Sequence, residues 1–170
     1  MLPIIYGDFL TDLECASIIG LGDEFKEGKT TDAPEEWRNS QVLWLWPEDL
    51  PDWFRDKMAH ALAKTAVHYD FAIEGFKEPL QLSKYQEGGY YDFHMDLGEE
   101  KRTRKLSFVI PLNDDYEGGE LAFPANQVIL NNEHKGSCIA FPSFIAHGVK
   151  PVTKGDRYSL VAWAHGPEFR

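Results

Sequence analysis

The hydrophobic period of this 170-residue chain changes near Leu80, from about 3.6 residues to 2, and that switch limits what it can build. Ahead of the switch the pattern is helical. Thr11-Asp12-Leu13-Glu14 reads as a capping box with apolar Leu10 just before the cap. Leu13, Ala16 and Ile19 follow at helical spacing, and Gly20 and Gly22 are expected to end the helix near Asp23. A second helix is expected after Pro51, with Phe54, Met58, Ala61, Leu62, Thr65 and Tyr69 as one core-facing stripe. Between the helices, residues 41–46 read as a strand.

Beyond the switch, Leu80 and Leu82 share one side of a strand, and Gln81, Ser83 and Tyr85 the other. Leu106, Phe108, Ile110 and Leu112 alternate with Ser107 and Val109. Residues 120–123, 127–130, 137–141 and 158–164 are also strand-like. Turn signals separate them: Gly118-Gly119, Pro124-Ala125-Asn126, Asn131-Asn132, Lys135-Gly136 and Lys154-Gly155-Asp156. Short strands with frequent turns predict a mainly β fold, a double-sheet jelly roll or double-stranded β-helix. The N-terminal helices are expected on the outer face of one sheet. The length suits one domain over 1–170, with helical support in 1–78 and the jelly-roll core in 79–165. No internal repeat or linker-like segment interrupts it.

Seventeen basic against 28 acidic residues give a net charge of −11. That sign opposes nucleic acid, whose phosphates need a basic surface, and leaves a basic protein partner open. No apolar run is long enough to cross a bilayer, and the N-terminus lacks the pattern of a secretory signal. The two cysteines, Cys15 and Cys138, fit buried thiols in a reducing compartment, so a cytoplasmic protein is expected.

Residues Tyr85-Gln-Glu-Gly-Gly-Tyr-Tyr-Asp-Phe-His94-Met-Asp96 end in a histidine and an aspartate at i and i+2. In an extended strand both side chains point to the same side. A Gly88-Gly89 turn is expected to lead into that strand, with Tyr90, Tyr91 and Phe93 as core or as walls of a site. Of the other histidines, His60, His68, His134 and His165 read as packing or surface groups. His147 follows an apolar strand through Phe-Pro-Ser-Phe-Ile-Ala. Two histidines and one carboxylate form a facial set that leaves coordination positions open and suits non-haem Fe(II). A closed structural zinc site would need four ligands, and the chain has no Cys-x-x-Cys. Arg157 shares a strand face with Ser159, Val161 and Trp163. Buried there, it needs an anion, either an internal acidic residue or a ligand carboxylate.

The ordered array Tyr85, His94-x-Asp96, Arg104-x-Leu106-Ser107, Gly118-Gly119-Glu120-Leu121, Lys135-Gly136, Phe141-Pro142-Ser143, His147, Pro151-Val152-Thr153-x-Gly155-x-Arg157-Tyr158 and Trp163 resembles the prolyl 4-hydroxylase group of Fe(II)/2-oxoglutarate dioxygenases. It is most similar to the bacterial and phage PKHD-type hydroxylases. The resemblance runs from about Leu80 to Trp163. It implies iron on His94, Asp96 and His147, and the distal carboxylate of 2-oxoglutarate on Arg157 with Tyr85 as a hydrogen-bonding partner. Ser107 and Ser159 are implied as neighbours of the cosubstrate, and ascorbate as a supporting reductant. The implied reaction hydroxylates a peptidyl proline at C4 and releases succinate and carbon dioxide. Another residue, a free amino acid, a small molecule or a non-catalytic binding module are the alternatives. The expected partner is a proline-containing peptide or protein, with no nucleic acid and no membrane, on a monomer or weak dimer. Residues 97–105 read as a flexible charged loop, with Lys101, Arg102, Arg104 and Lys105 as a solvated basic island. Residues 99–104 and 116–119 are expected to form mobile walls of an open peptide cleft.

Overall fold

The computed structural model describes residues 1–30 and 34–170. Helix α1 (Asp12–Ile19) starts on the expected capping box. The Glu14 N–H donates to Thr11 Oγ1 at 3.2 Å, and the Thr11 N–H donates to Glu14 Oε1 at 2.9 Å. It stops at Ile19, short of Asp23, with Gly20 still right-handed at φ −63°. Its buried face is Cys15 and Ile18, not the expected Leu13 and Ala16; Leu13 is 84% exposed. Anchors outside the helix set this rotation. The Leu10 N–H donates to Gly136 O at 2.8 Å, and Lys57 Nζ grips both Phe9 O and the Glu14 carboxylate. Helix α2 (Asp52–Tyr69) buries Phe54, Met58, Ala61, Thr65 and Tyr69 as its periodicity predicts. It ends on Asp70 in the left-handed region, a conformation aspartate tolerates.

The larger sheet is antiparallel, in the order Ile4–Tyr6, Cys138–Pro142, Arg104–Pro111, Arg157–His165, Leu80–Tyr85, Gln41–Leu45 and Lys26–Glu27. Gly75–Phe76 pairs with the far end of Arg157–His165. The smaller sheet runs Val128–Leu130, Leu121–Phe123, His147–Val149, Tyr90–His94 and Arg38–Asn39. Together they form the jelly roll. Several strands are too short for periodicity to reveal. Ile4–Tyr6 exists because it completes the ladder on Cys138–Pro142, not because of its own pattern.

Two apolar clusters share the larger sheet. On its outer side both helices pack on Leu80, Leu82, Leu106, Phe108, Ile110, Cys138, Ala140, Leu160 and Ala162. On its inner side Val109, Ile139 and Phe141 meet Leu121, Phe123, Leu130 and Val149 of the smaller sheet. The alternating residues read from the sequence therefore divide between two covered faces. The chain passes from the larger sheet to the smaller through Gly88-Gly89. Gly88 sits at φ +82°, and a Cβ on Gly89 would lie 2.8 Å from Gln86 O, so the pair is required there.

No helix among the described residues is long and apolar enough to cross a membrane. Phe54→Ala should destabilise the protein by about 3–5 kcal/mol, since a fully buried ring leaves a cavity beneath α2. Leu13→Ala should stay within about 0.5 kcal/mol. Chemical denaturation of the two variants checks both, and a large loss for Leu13→Ala would contradict the helix rotation described here.

Candidate metal centre and its cavity

His94 and His147 face each other across the smaller sheet, as opposite residues of the strands Tyr90–His94 and His147–Val149. Asp96 arrives by a route the sequence did not suggest. The strand ends at His94, and Asp96 follows in a bend whose two N–H groups, on Asp96 and Leu97, donate to Ser143 O at 2.9 and 3.0 Å. The three side chains still converge. His94 Nε2 lies 3.4 Å from Asp96 Oδ1, His147 Nε2 lies 3.6 Å from Asp96 Oδ2, and all three ligating atoms fall within 4.8 Å of one another.

The hydrogen bonds behind the rings fix the tautomers. His94 Nδ1 is 2.8 Å from Asp92 O, and His147 Nδ1 is 3.0 Å from Ile145 O. A carbonyl only accepts, so each Nδ1 carries the proton and each Nε2 lone pair points to the common centre. Tyr91 stacks on His94 with centroids 3.6 Å apart, and Phe141 packs edge-on to His147. Ser107 donates from Oγ to Asp96 Oδ2 at 2.6 Å and also bonds Ser143 Oγ.

Burial pushes His147 toward its neutral, ligating form, against the pull of Asp96. Burial alone would raise the Asp96 carboxyl. The His147 and His94 imidazoles and the Ser107 hydroxyl overcome it and hold Asp96 well below the usual carboxylate range. A divalent cation at the point where the three ligating atoms converge would give the Asp96 carboxylate a positive partner. Two imidazole nitrogens and one carboxylate, with no thiolate, fit a non-haem Fe(II) site with open positions.

This centre opens on a cavity of about 590 Å³ also lined by Tyr85, Arg157, Ser159 and Trp163. Arg157 is 2% exposed, and no carboxylate among the described residues lies within ion-pair distance of it. Its Nη1 donates to Ser159 Oγ at 3.1 Å, its Nε has no partner among the described residues, and its Cζ lies 5.4 Å from the Tyr85 ring centroid. The internal ion pair left open by the sequence is therefore absent among the described residues. A buried guanidinium with a free donor fits the carboxylate of a ligand such as 2-oxoglutarate. Gly119, at φ +64°, packs on its stem, where a Cβ would stand 3.0 Å from Arg157 Cδ.

Six of the seven residues singled out by sequence line this cavity; Ser107 does not. Its hydroxyl lies behind Asp96, where it donates to the carboxylate and orients it. Residues 97–105 are not a solvated loop throughout. After the turn Glu99–Lys101, the strand Arg104–Pro111 begins with Arg104 and Lys105 both buried. Arg104 forms a bidentate pair with Glu78 at 2.6 Å on each arm, lies 3.8 Å over Trp163, and reaches Asp96 O at 3.4 Å. His165, read as a surface or packing group, is buried on Glu78 Oε1 at 2.9 Å. No local pattern joins Glu78 to residues so distant in sequence. Tyr116 is buried and Gly118 packs against Pro151 O, so residues 116–119 are anchored in the fold and do not line the cavity.

The model of the 2OG-Fe(II) oxygenase superfamily matches residues 80–165, and the chain belongs to that family. It is 28% identical to a PKHD-type hydroxylase of Idiomarina loihiensis, over 94% of this chain and 77% of that protein. Against several other PKHD-type hydroxylases the match spans about half or less of their length. Among solved structures it is similar to a Pseudomonas putida prolyl-4-hydroxylase, with TM-score 0.79, 22% identity, and 97% and 92% of the two chains covered. It is also similar to a viral collagen prolyl hydroxylase from Paramecium Bursaria Chlorella virus-1, solved with 2OG, with TM-score 0.74, 21% identity, and 98% and 97% covered. At that identity the likeness shows the shared fold.

Ser107→Ala should weaken metal binding about 10- to 100-fold without removing it, because the ligand stays and its orienting bond goes. Anaerobic titration with Fe(II) or Mn(II) measures this. Burial opposes ionisation of Glu78, but His165 and Arg104 together lower its pKa from 4.5 to about 2. A depressed carboxyl stabilises the fold fully above pH 4.5 and loses that contribution as pH falls toward 2. Denaturant midpoints followed through this window should fall in the native protein and change less in Glu78→Gln. That variant should also lose about 3–5 kcal/mol at neutral pH, since it leaves Arg104 buried without its counter-charge.

Proposed function

We propose that this protein is an Fe(II)- and 2-oxoglutarate-dependent dioxygenase that hydroxylates a peptidyl proline at C4, with release of succinate and carbon dioxide. One observation carries the reading: Arg157, buried and without an ion-pair partner among the described residues, shares a cavity with the His94–Asp96–His147 centre. A metal alone would not need it. When bound, the metal and cosubstrate supply the oxidising chemistry, coupling decarboxylation of the oxo acid to hydroxylation of a C–H bond.

The residues of the chain bind, orient and exclude water. His94, Asp96 and His147 hold the cation. Arg157 and Ser159 receive the distal carboxylate, and the Tyr85 ring lies beside the guanidinium in the same cavity. Val109, Leu121, Val149 and Val161 make the inner walls apolar, which keeps competing water from the reacting centre. Nearer the substrate side, Trp163 carries a buried indole N–H with no partner among the described residues, a donor suited to a peptide carbonyl. Trp44 and Trp163, with ring centroids 6.1 Å apart, offer apolar faces to a proline ring. The prolyl assignment is supported by the names of the relatives and by proline's fixed φ, which presents its ring predictably. The described residues are read as one catalytic domain, with helical support in 1–78 and the core in 79–165.

Incubation with Fe(II), 2-oxoglutarate, ascorbate and proline-rich peptides should yield succinate in step with a one-oxygen gain, located to 4-hydroxyproline by fragmentation. Succinate formation with free amino acids but no peptide would leave only the dioxygenase class standing. Arg157→Ala should raise the 2-oxoglutarate requirement by the equivalent of about 2–5 kcal/mol while Fe(II) binding persists. Arg157→Lys should fall between, since lysine keeps the charge without the fork. An unchanged requirement in Arg157→Ala refutes the anchor. Zn²⁺ should occupy the centre without supporting turnover, because it has no redox chemistry.

A further inference from the structure

The net charge of −11 belongs to the molecule as a whole, while the cavity reverses it: six of its lining side chains are cationic and three acidic. Three of these nine are accounted for, Arg104 by Glu78, Arg157 by the cosubstrate and Asp96 by the metal. What remains is Lys26, Lys29, Arg38 and Lys101 against Glu24 and Glu27.

Arg38 stands apart from the lysines because it is 8% exposed and held in place. Its Nε donates to Ser40 Oγ at 2.6 Å, its Nη2 to Gln81 Oε1 at 2.9 Å, and its Nη1 to Lys29 O at 3.4 Å. All three acceptors are neutral, and a guanidinium has five N–H groups. No carboxylate among the described residues lies within ion-pair distance of it. Gly28 packs against it so closely that a Cβ there would stand 2.7 Å from Arg38 Nε. On the other side its Cζ lies 4.5 Å from the centroid of Tyr91, the ring stacked on His94. The charge is thus buried, held by three hydrogen bonds, without a counter-ion among the described residues, and one aromatic ring away from the candidate metal centre. A structural arginine in this position would be expected to face an acidic residue, because an unpaired buried charge is costly.

We propose that Arg38 binds a carboxylate of the substrate, so that the residue to be hydroxylated is presented beside an acidic group. This rests on the peptide reading given above. The carboxylate is an aspartate or glutamate side chain, or the terminus of the peptide.

The test measures binding to Mn(II)-loaded protein saturated with 2-oxoglutarate, using blocked prolyl peptides that carry Asp or Glu next to the proline. Matched peptides carry Asn, Gln or Lys there, and a further neutral peptide ends in a free carboxylate beside the proline. The acidic peptides should bind about 10- to 100-fold more tightly than their amide partners, as for a hydrogen-bonded charge pair. That margin should collapse to within about 2-fold in Arg38→Gln and survive in part in Arg38→Lys, which keeps the charge should the glutamine variant fail to fold. A margin seen only with the free terminus identifies the terminal carboxylate as the ligand group. Equal binding of acidic and neutral peptides overturns the proposal, as does a margin that persists undiminished in Arg38→Gln. If no peptide binds at any charge, it is the peptide reading that fails, and this proposal falls with it.

Discussion

Strict alternation along the strand Arg157–His165, in the middle of the larger sheet, is what the rest of the molecule depends on. One face carries Tyr158, Leu160, Ala162 and Ala164 toward the helices, and the other carries Arg157, Ser159, Val161 and Trp163 into the cavity. Its partners alternate in the same phase: Leu82 and Leu80 face the helices, while Ser83 and Tyr85 face inward, with Arg157 directly opposite Tyr85. A slip of one residue would send the guanidinium into the helical core and Leu160 into the site. Burial of the apolar face therefore fixes the position of the polar one. The helices contribute to the site without touching it, because they make the wrong register costly.

The metal centre depends on the other sheet, and the two are joined at Asp96. Its carboxylate is held by Ser107 from the larger sheet, while the histidines that flank it belong to the smaller. Its backbone carbonyl accepts from Arg104, which is fixed in turn by Glu78 and covers Trp163. A cation held by all three side chains would therefore tie the two sheets together. The Glu78–Arg104 pair thus holds both the Asp96 carbonyl and the Trp163 ring through one side chain.

Much of this was legible in the residues, and the limits have physical causes. The period change at Leu80, the capping box at Thr11 and the stripe of α2 are local signals, and the structure follows each of them. Asp96 was placed correctly for a partly wrong reason: the strand stops at His94, and a hydrogen-bonded bend, rather than the pleat, turns the carboxylate inward. The face of α1 was misread because eight residues give periodicity too little length, and tertiary anchors set its rotation. Arg38, Glu78 and His165 were missed, or taken as bland, because their partners lie far along the chain. Only the fold brings such charges together. In the basic stretch 101–105 the sequence showed charge but not burial, and burial decides whether a charge is solvent-facing or structural.

The distribution of buried charge also explains why this cavity is a place for ligands rather than a packing defect. Three arginines reach it, and only Arg104 meets a carboxylate of the described chain. Arg157 and Arg38 are satisfied by neutral oxygens in part, and each leaves N–H groups or charge uncompensated. A fold selected for stability alone would pair such groups or replace them with apolar residues. Beside the Asp96 carboxylate, the two arginines give the cavity charges that ligand anions and a metal would complete. By linkage, whatever binds the native cavity and not the unfolded chain stabilises the fold.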